Sequence, residues 1–436
     1  MKIRCLSLLV FILACTGIQA VFAEDIPDII PEILTVEAAV RSALDNNLNL
    51  MRSALDVQTN KRILDRSWNS LLPAVSAAGV VSHPTSITGP IEPASRNVWT
   101  AGFSLSAGIT FSVSVVDNIR KARADYEMGL LSYEAARQEL ELSTRKLFYQ
   151  ILLLDANREL ALQNFASAQA RYEQSAALVR VGQAPRLDEL SARVDMENLR
   201  PTVRNAETLY ENALDSFKTI LGFPPDTVII LDGSLAGGIR ESSFSINNES
   251  LEAAGLSKSI QSMESQRNGI RNGAYVPNLR LSWNSTPLYS SENGKWSDNG
   301  SFSISLGLNI DNFLPWSGAK TQIDNLNDSI RSAQIQLKDS LRSRENRVNQ
   351  YIRTVERILE SLEAMNLNVE LAQSTYDMYE DAYRRGAADY QQLRSAGDGL
   401  EQAKNRLLQE QFDLVSALLD LEKELNVPFG ALWQQK

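Results

Sequence analysis

Histidine is almost missing from this 436-residue chain: the single one, His83, is followed by Pro84. That rules out imidazole catalysis or a His-ligated metal as the basis of function, and His83 reads as an ordinary loop residue at a strand end. Cysteine is nearly as scarce. Cys5 and Cys15 both fall in the first fifteen residues, so everything after them lacks disulfides and thiolate chemistry. No later stretch reaches the ~18 consecutive apolar residues of a transmembrane helix. Basic charge is in deficit, 43 Lys and Arg against 53 Asp and Glu, which argues against nucleic acid as a partner. A Gly-rich phosphate loop after a strand and a metal-ligand cluster are also missing, so an enzyme is not expected and no cofactor is implied. The adjacent acids Asp188 and Glu189 read more simply as helix-start residues than as an acid–base pair.

The first residues have the pattern of an export signal. Lys2 and Arg4 give a positive end, residues 6–18 are mainly apolar, and Val21-Phe22-Ala23 offers small-residue cleavage chemistry before Glu24. Ile12-Leu13-Ala14-Cys15 is a competing lipoprotein-like signal, with Cys15 as the lipidated residue. Leu13 is bulky for it, so residues 1–23 are read as the signal peptide and Glu24 as the mature terminus.

What the chain does have is itself, twice. Pro73 is answered by Pro277, Gly182 by Gly386, Ala192 by Ala396, and Leu221-Gly222-Phe223-Pro224 by Leu425-Asn426-Val427-Pro428, each pair 204 residues apart. The division that follows is repeat 1 at 24–225, a linker at 226–248 expected at the equator of the molecule, repeat 2 at 249–428 and a tail at 429–436. Each repeat reads as helix, Pro, strand, loop, strand, very long helix, Gly turn and long return helix.

A heptad seam runs along both long helices. Stepping by four and three from Tyr126 to Val179, twelve of sixteen positions are apolar; shifted by 204, fourteen of sixteen are, where composition alone gives about seven. A helix over 118–180 would extend on the order of 95 Å. Extra apolar residues beside the seam, among them Phe148, Leu153 and Leu160, widen the stripe beyond one partner helix. The turns Val181-Gly182-Gln183 and Arg385-Gly386-Ala387 close the long helices, and Pro185 and Asp389 restart the chain as return helices from 186 and 389. Pro201 should kink the first of these.

Between Pro73 and Asp117 the period drops to two. Phe103, Leu105, Ala107, Ile109 and Phe111 share one face, and Ser104, Ser106, Gly108, Thr110 and Ser112 the other; Phe302, Ile304 and Leu306 alternate with Ser301, Ser303 and Ser305 in the second repeat. An uncharged hydroxyl face opposite an apolar one suits a membrane barrel strand, or else a half-buried soluble sheet. Four strands cannot close a barrel in lipid, so several copies would have to share one. Trp99, Trp283, Trp296 and Trp316 near strand ends suit a membrane–water boundary.

Leu72-Pro73, the first tip Gly182-x5-Asp188-x-Leu190-x-Ala192 and the second tip Gly386-x9-Ala396, in register with the heptads, resemble the outer membrane efflux protein family of TolC-like channels over about residues 35–430. The second tip departs from the family pattern: Gln392 stands where Asp is usual and Arg394 where Leu is. The resemblance implies a mainly α fold with membrane β: a homotrimer whose chains give four strands each to one 12-stranded outer-membrane barrel, continued by a periplasmic helical barrel. It implies a passive exit duct for small molecules or polypeptides, with a periplasmic adaptor, an inner-membrane transporter and outer-membrane lipid as partners. The alternative is a periplasmic coiled-coil interaction protein.

Because the turns reach farthest from the membrane, Val181, Gly182, Gln183, Arg385, Gly386 and Ala387 are the expected adaptor docking tips. Asp188 matches the family's acidic first-tip position, with Glu189 beside it, and Tyr383 a family tyrosine that holds the closed tip. The expected periplasmic gate is therefore Asp188, Glu189, Tyr383, Asp389 and Gln392, with Arg186 as ion partner of Asp188 or Asp389.

Overall fold

In a computed structural model the chain is described over residues 33–83, 85, 98–239, 250–291, 294–298 and 300–435. The expected signal peptide, Cys15, Glu24, Pro84 and most of the loop between the first two long strands lie outside the described residues.

Repeat 1 comprises β1 (Ile33–Leu34), α1 (Val36–Asn46), α2 (Leu48–Arg66), β2 (Ala74–Ser82), β3 (Thr100–Phe111), α3 (Ser114–Arg180) and α4 (Arg186–Leu221). Next come β4 (Ile230–Leu231) and β5 (Gly237–Ile239). Repeat 2 follows with α5 (Leu251–Tyr275), β6 (Asn278–Ser285), β7 (Leu288–Ser290), β8 (Lys295–Ser297), β9 (Ser301–Gly307), α6 (Gly318–Arg384) and α7 (Tyr390–Leu425), and β10 (Trp433–Gln435) ends the chain. Short 3-10 turns at Ser67–Leu71 and Ile310–Phe313 join helix to strand. α3 and α6 each have 67 residues and α4 and α7 each have 36. At 1.5 Å per residue the two long helices extend ~100 Å.

The seam explains why such helices persist. Of its sixteen positions in α3, only Leu130 and Arg137 are exposed; in α6 only Gln334, Leu341 and Tyr379 are. α3 begins at Ser114 rather than near 118, four residues earlier than the period-two pattern suggests, because that pattern ends with β3 at Phe111. Pro201 leaves α4 an uninterrupted helix from Arg186 to Leu221. Proline forfeits one helical hydrogen bond, a local cost that packing along a 36-residue helix outweighs.

The helices form four lanes. α3 and α6 each fill one. α2 and α4 stack end to end beside α3, where Asn47 Nδ2 donates to the Ile220 carbonyl at 3.4 Å. α5 and α7 stack end to end between α3 and α6. At the junction of the lanes, Leu34, Phe148, Ile151, Phe217 and Leu221 form the main apolar core, with Phe148 edge-on to Phe217 at 6.2 Å. There β1 pairs in parallel with β4, and β5 antiparallel with β10. The expected linker thus holds two short strands that tie down both ends of the described chain. Glu422, fully buried, accepts N–H bonds from Gly430 at 2.9 Å and Leu432 at 2.6 Å and so pins the tail.

At one end of the lanes lies an antiparallel sheet. β2 pairs with β3 and β3 with β6 and β7; β6 pairs with β9 and β7 with β8. Six segments therefore make four lanes, where the sequence reading had four plain strands. The interruption falls at Pro287, whose carbonyl accepts from Phe103 N at 3.1 Å. A Cβ at Gly102 would lie 2.6 Å from that carbonyl oxygen, so only glycine fits there. Register carries the two faces across the sheet: Ala77 is opposite Leu105, Ile109 opposite Leu281, Leu281 opposite Ile304 and Trp283 opposite Phe302. On the other face, hydroxyls pair across strands at Ser76–Ser106 (2.7 Å), Ser82–Thr100 (2.6 Å) and Ser282–Ser303 (2.8 Å). β2 is exposed along its whole length and β9 at every residue but Gly307, so among the described residues no layer covers either outer strand.

Candidate functional site at the hairpin tips

At the far end of the lanes the two helical hairpins turn. Gly182 (φ +76°) and Gly386 (φ +70°) adopt the left-handed conformation that closes α3 and α6, and the N–H of the next residue returns to Leu178 O (2.9 Å) and Ala382 O (2.8 Å). Val181, Gly182, Gln183, Arg385, Gly386 and Ala387 are all exposed at the two turns. A Cβ at either glycine would meet nothing within 4 Å, so left-handed backbone, not crowding, demands glycine.

The tips are joined to each other through residues of both repeats. Ala192, Tyr383, Tyr390 and Leu393 form a small buried cluster, with Tyr172, Leu178 and Tyr376 around it. Tyr383 shares a hydrogen bond with Ser175 Oγ at 2.8 Å, linking α6 to α3. Tyr390 donates to Asp195 Oδ2 at 2.8 Å, and Arg394 pairs with Asp195 Oδ1 at 3.3 Å, linking α7 to α4. Arg171 donates to the Tyr376 hydroxyl at 3.3 Å.

The expected gate residues fall into two groups. Tyr383 is in the joined cluster, and Asp188, half-buried, is near enough to raise the Tyr383 pKa further. Asp389 and Gln392 are held otherwise, in a reciprocal cap: Gln392 N donates to Asp389 Oδ1 at 2.8 Å and Asp389 N to Gln392 Oε1 at 3.1 Å. Arg186 is exposed, and among the described residues it forms an ion pair with neither Asp188 nor Asp389, which corrects that expectation; Arg186 heads α4 on the solvent side. Glu189 is half-buried in the same first turn.

The carboxylate that ties the hairpins is Asp195, which sequence reasoning passed over along with Tyr390 and Arg394. A signal was present: Asp188, Ala192 and Asp195 are spaced four and three apart on one face of α4, and Tyr390 and Arg394 four apart on α7.

Burial raises the pKa of Tyr383 and Tyr390 above the usual 10; the neighbouring Asp195 adds to the effect at Tyr390, and Asp188 at Tyr383. A raised folded pKa means that the contribution of these hydroxyls is fully present below the unfolded value near 10 and is lost as pH climbs through the folded values. The tie should therefore be insensitive to pH from neutrality to about 9. In an absorbance titration of the phenols, Tyr390→Phe should remove the last-ionising tyrosine; an unchanged alkaline limb would show that Tyr390 is not buried on Asp195.

Residues 39–223 match the family described as outer membrane efflux protein. Over those residues, fewer than half of the total, the chain is similar to that family. A search of curated proteins by sequence finds no match. Among solved structures, the fold is similar to the CmeC outer membrane channel of Campylobacter jejuni (15% identity, TM-score 0.77, covering 92% of this chain and 87% of that one). It is similar to VceC of Vibrio cholerae (12%, 0.74, 90% and 96%) and to the open state of the MtrE outer membrane channel of Neisseria gonorrhoeae (16%, 0.71, 90% and 89%). Identities this low establish a shared fold. The matched family is one of outer membrane efflux proteins, and the solved structures that share the fold are outer membrane channels. The family is one of channels, not enzymes.

Proposed function

We propose that this chain is the passive outer-membrane duct of a tripartite export system, working as a homotrimer. A periplasmic adaptor and an inner-membrane transporter would supply docking and energy for small molecules or polypeptides. The observation that carries the reading is the sheet. It has an apolar face and a hydroxyl face and, among the described residues, no covering layer and two outer strands, β2 and β9, each with an unpaired edge. Unpaired edges are too costly in hydrocarbon, so further copies must complete a barrel. Three copies of four lanes would give twelve, apolar toward lipid and hydroxyl-lined toward a wet lumen. Mass measured on the detergent-solubilised protein should be that of three chains. A monomer, or a protein that stays in solution without detergent, overturns the reading in favour of a periplasmic interaction protein.

The hairpin tips are then the periplasmic gate and the adaptor's docking surface. Tyr383–Ser175 and Tyr390–Asp195–Arg394 support a closed state in which the second hairpin is held against the first. Asp188 would add a ring of three carboxylates under three-fold symmetry and favour cations. For docking, Val181, 66% exposed, is a better probe than the strained glycines. Val181→Glu should leave trimer mass and conductance unchanged and abolish export in cells; normal export at normal expression would refute docking there.

A further inference from the structure

We propose that Gly397 and Gly399 make α7 a hinge, about which its tip end, residues 390–396, swings away from the first hairpin when the gate opens. The inference rests on the gate reading above. Glycine inside a helix weakens it, and here nothing in the packing asks for it. A Cβ at Gly399 would meet no atom within 4 Å, and one at Gly397 would make ordinary contact with the Tyr376 ring at 3.5 Å. Both positions would hold alanine without strain. The equivalent positions of the first repeat are Arg193 and Asp195, so the weak point belongs to one hairpin only.

The surroundings of the two glycines are equally loose. Between Leu393 and Ala403, only Leu400 of α7 is buried. Toward the equator, Leu414, Leu418, Leu421 and Leu425 fix α7 in an apolar core with Val348 and Ile358 of α6. Toward the tip, Tyr390 and Leu393 are buried and Tyr390 and Arg394 bind Asp195. Beside the glycines, between these two anchored parts, is a polar cleft lined by residues of all four lower helices, among them Arg171, Asp195, Tyr376 and Glu401. Arg171 Nε is buried there without an acceptor, and burial raises the Glu401 carboxyl. A firm segment, a weak joint beside open polar space and a polar tie at the free end together describe an arm that pivots once the tie breaks.

The test is conductance of the purified trimer in planar bilayers. Asp195→Ala breaks the tie and should raise the open fraction. Adding Gly397→Ala and Gly399→Ala should then lower the open fraction by about fivefold per glycine, the factor expected when a straight helix is favoured over a bent one. Gly399→Ala alone, which touches nothing, should give about one such factor. Gly255→Ala in α5, equally free of neighbours, is the control for general stiffening and should change nothing. If Asp195→Ala opens the channel and the alanines do not reverse it, or Gly255→Ala reverses it equally, the hinge is wrong and the gate stands. If Asp195→Ala leaves the channel closed, the gate reading itself fails and the hinge falls with it.

Discussion

Asp195→Ala is expected to convert a tightly closed channel into a leaky one, with a rise in open fraction of tenfold or more. Asp195 is 12% exposed at its side chain and accepts from both the Tyr390 hydroxyl and the Arg394 guanidinium. Hydrogen bonds to a charged group contribute about 1.5–3 kcal/mol each. Each ~1.4 kcal/mol removed from the closed state shifts the closed-to-open ratio about tenfold, and three-fold symmetry would repeat the loss in every copy. The substitution also leaves Arg394 to its second partner Asp398 at 3.8 Å, a contact within α7 that does not hold the hairpins together. Single-channel recordings and antibiotic sensitivity of cells decide it. A conductance equal to that of the unaltered protein would show that the Tyr390–Asp195–Arg394 tie does not control the aperture. Asp188→Asn should have the smaller effect, a loss of cation preference without a large change in open fraction, because among the described residues Asp188 has no ion pair to break.

The second large effect is on stability. Glu422 is fully buried, which raises its carboxyl pKa, while the N–H groups of Leu432 and Gly430 and the nearby Arg145 partly offset that by favouring its charge. Glu422→Ala removes the acceptor and leaves the buried Leu432 N–H unpaired, a loss of about 1–3 kcal/mol. β10 would lose its anchor, and with it the pairing of Trp433 with Ile239. The expected result is a lower melting temperature of the protein and early proteolytic trimming of the C-terminal residues. Glu422→Gln keeps one carbonyl acceptor and should fall between the two. Equal melting and equal protease resistance in the alanine variant would show that the tail is held by β5 alone.

Several elements were legible in the sequence because their causes are local. The 3.5-residue period of α3 and α6 survives as burial at almost every seam position. The period-two face of β3 survives as register, with Ala77 opposite Leu105, Ile109 opposite Leu281, Ser76 opposite Ser106 and Ser82 opposite Thr100. The turns at Gly182 and Gly386 follow from backbone sterics that need only one residue to state. The family resemblance rested on these same patterns, and the domain match at residues 39–223 agrees with it. Other features depend on contacts between segments far apart in the chain, for which one-dimensional spacing gives a shared face but not the partner. Gln392, a gate residue by position, forms a reciprocal cap with Asp389 at the start of α7. Asp195 finds its partners only because α7 brings Tyr390 and Arg394 to it from 195 and 199 residues away. The split of the second sheet half at Pro287, and the burial of Glu422 under the tail, were likewise decided by which backbone N–H and C=O groups the tertiary structure left in need of partners. Periodicity determined which elements form and which face each one buries; only the packed molecule determined which partners those faces meet.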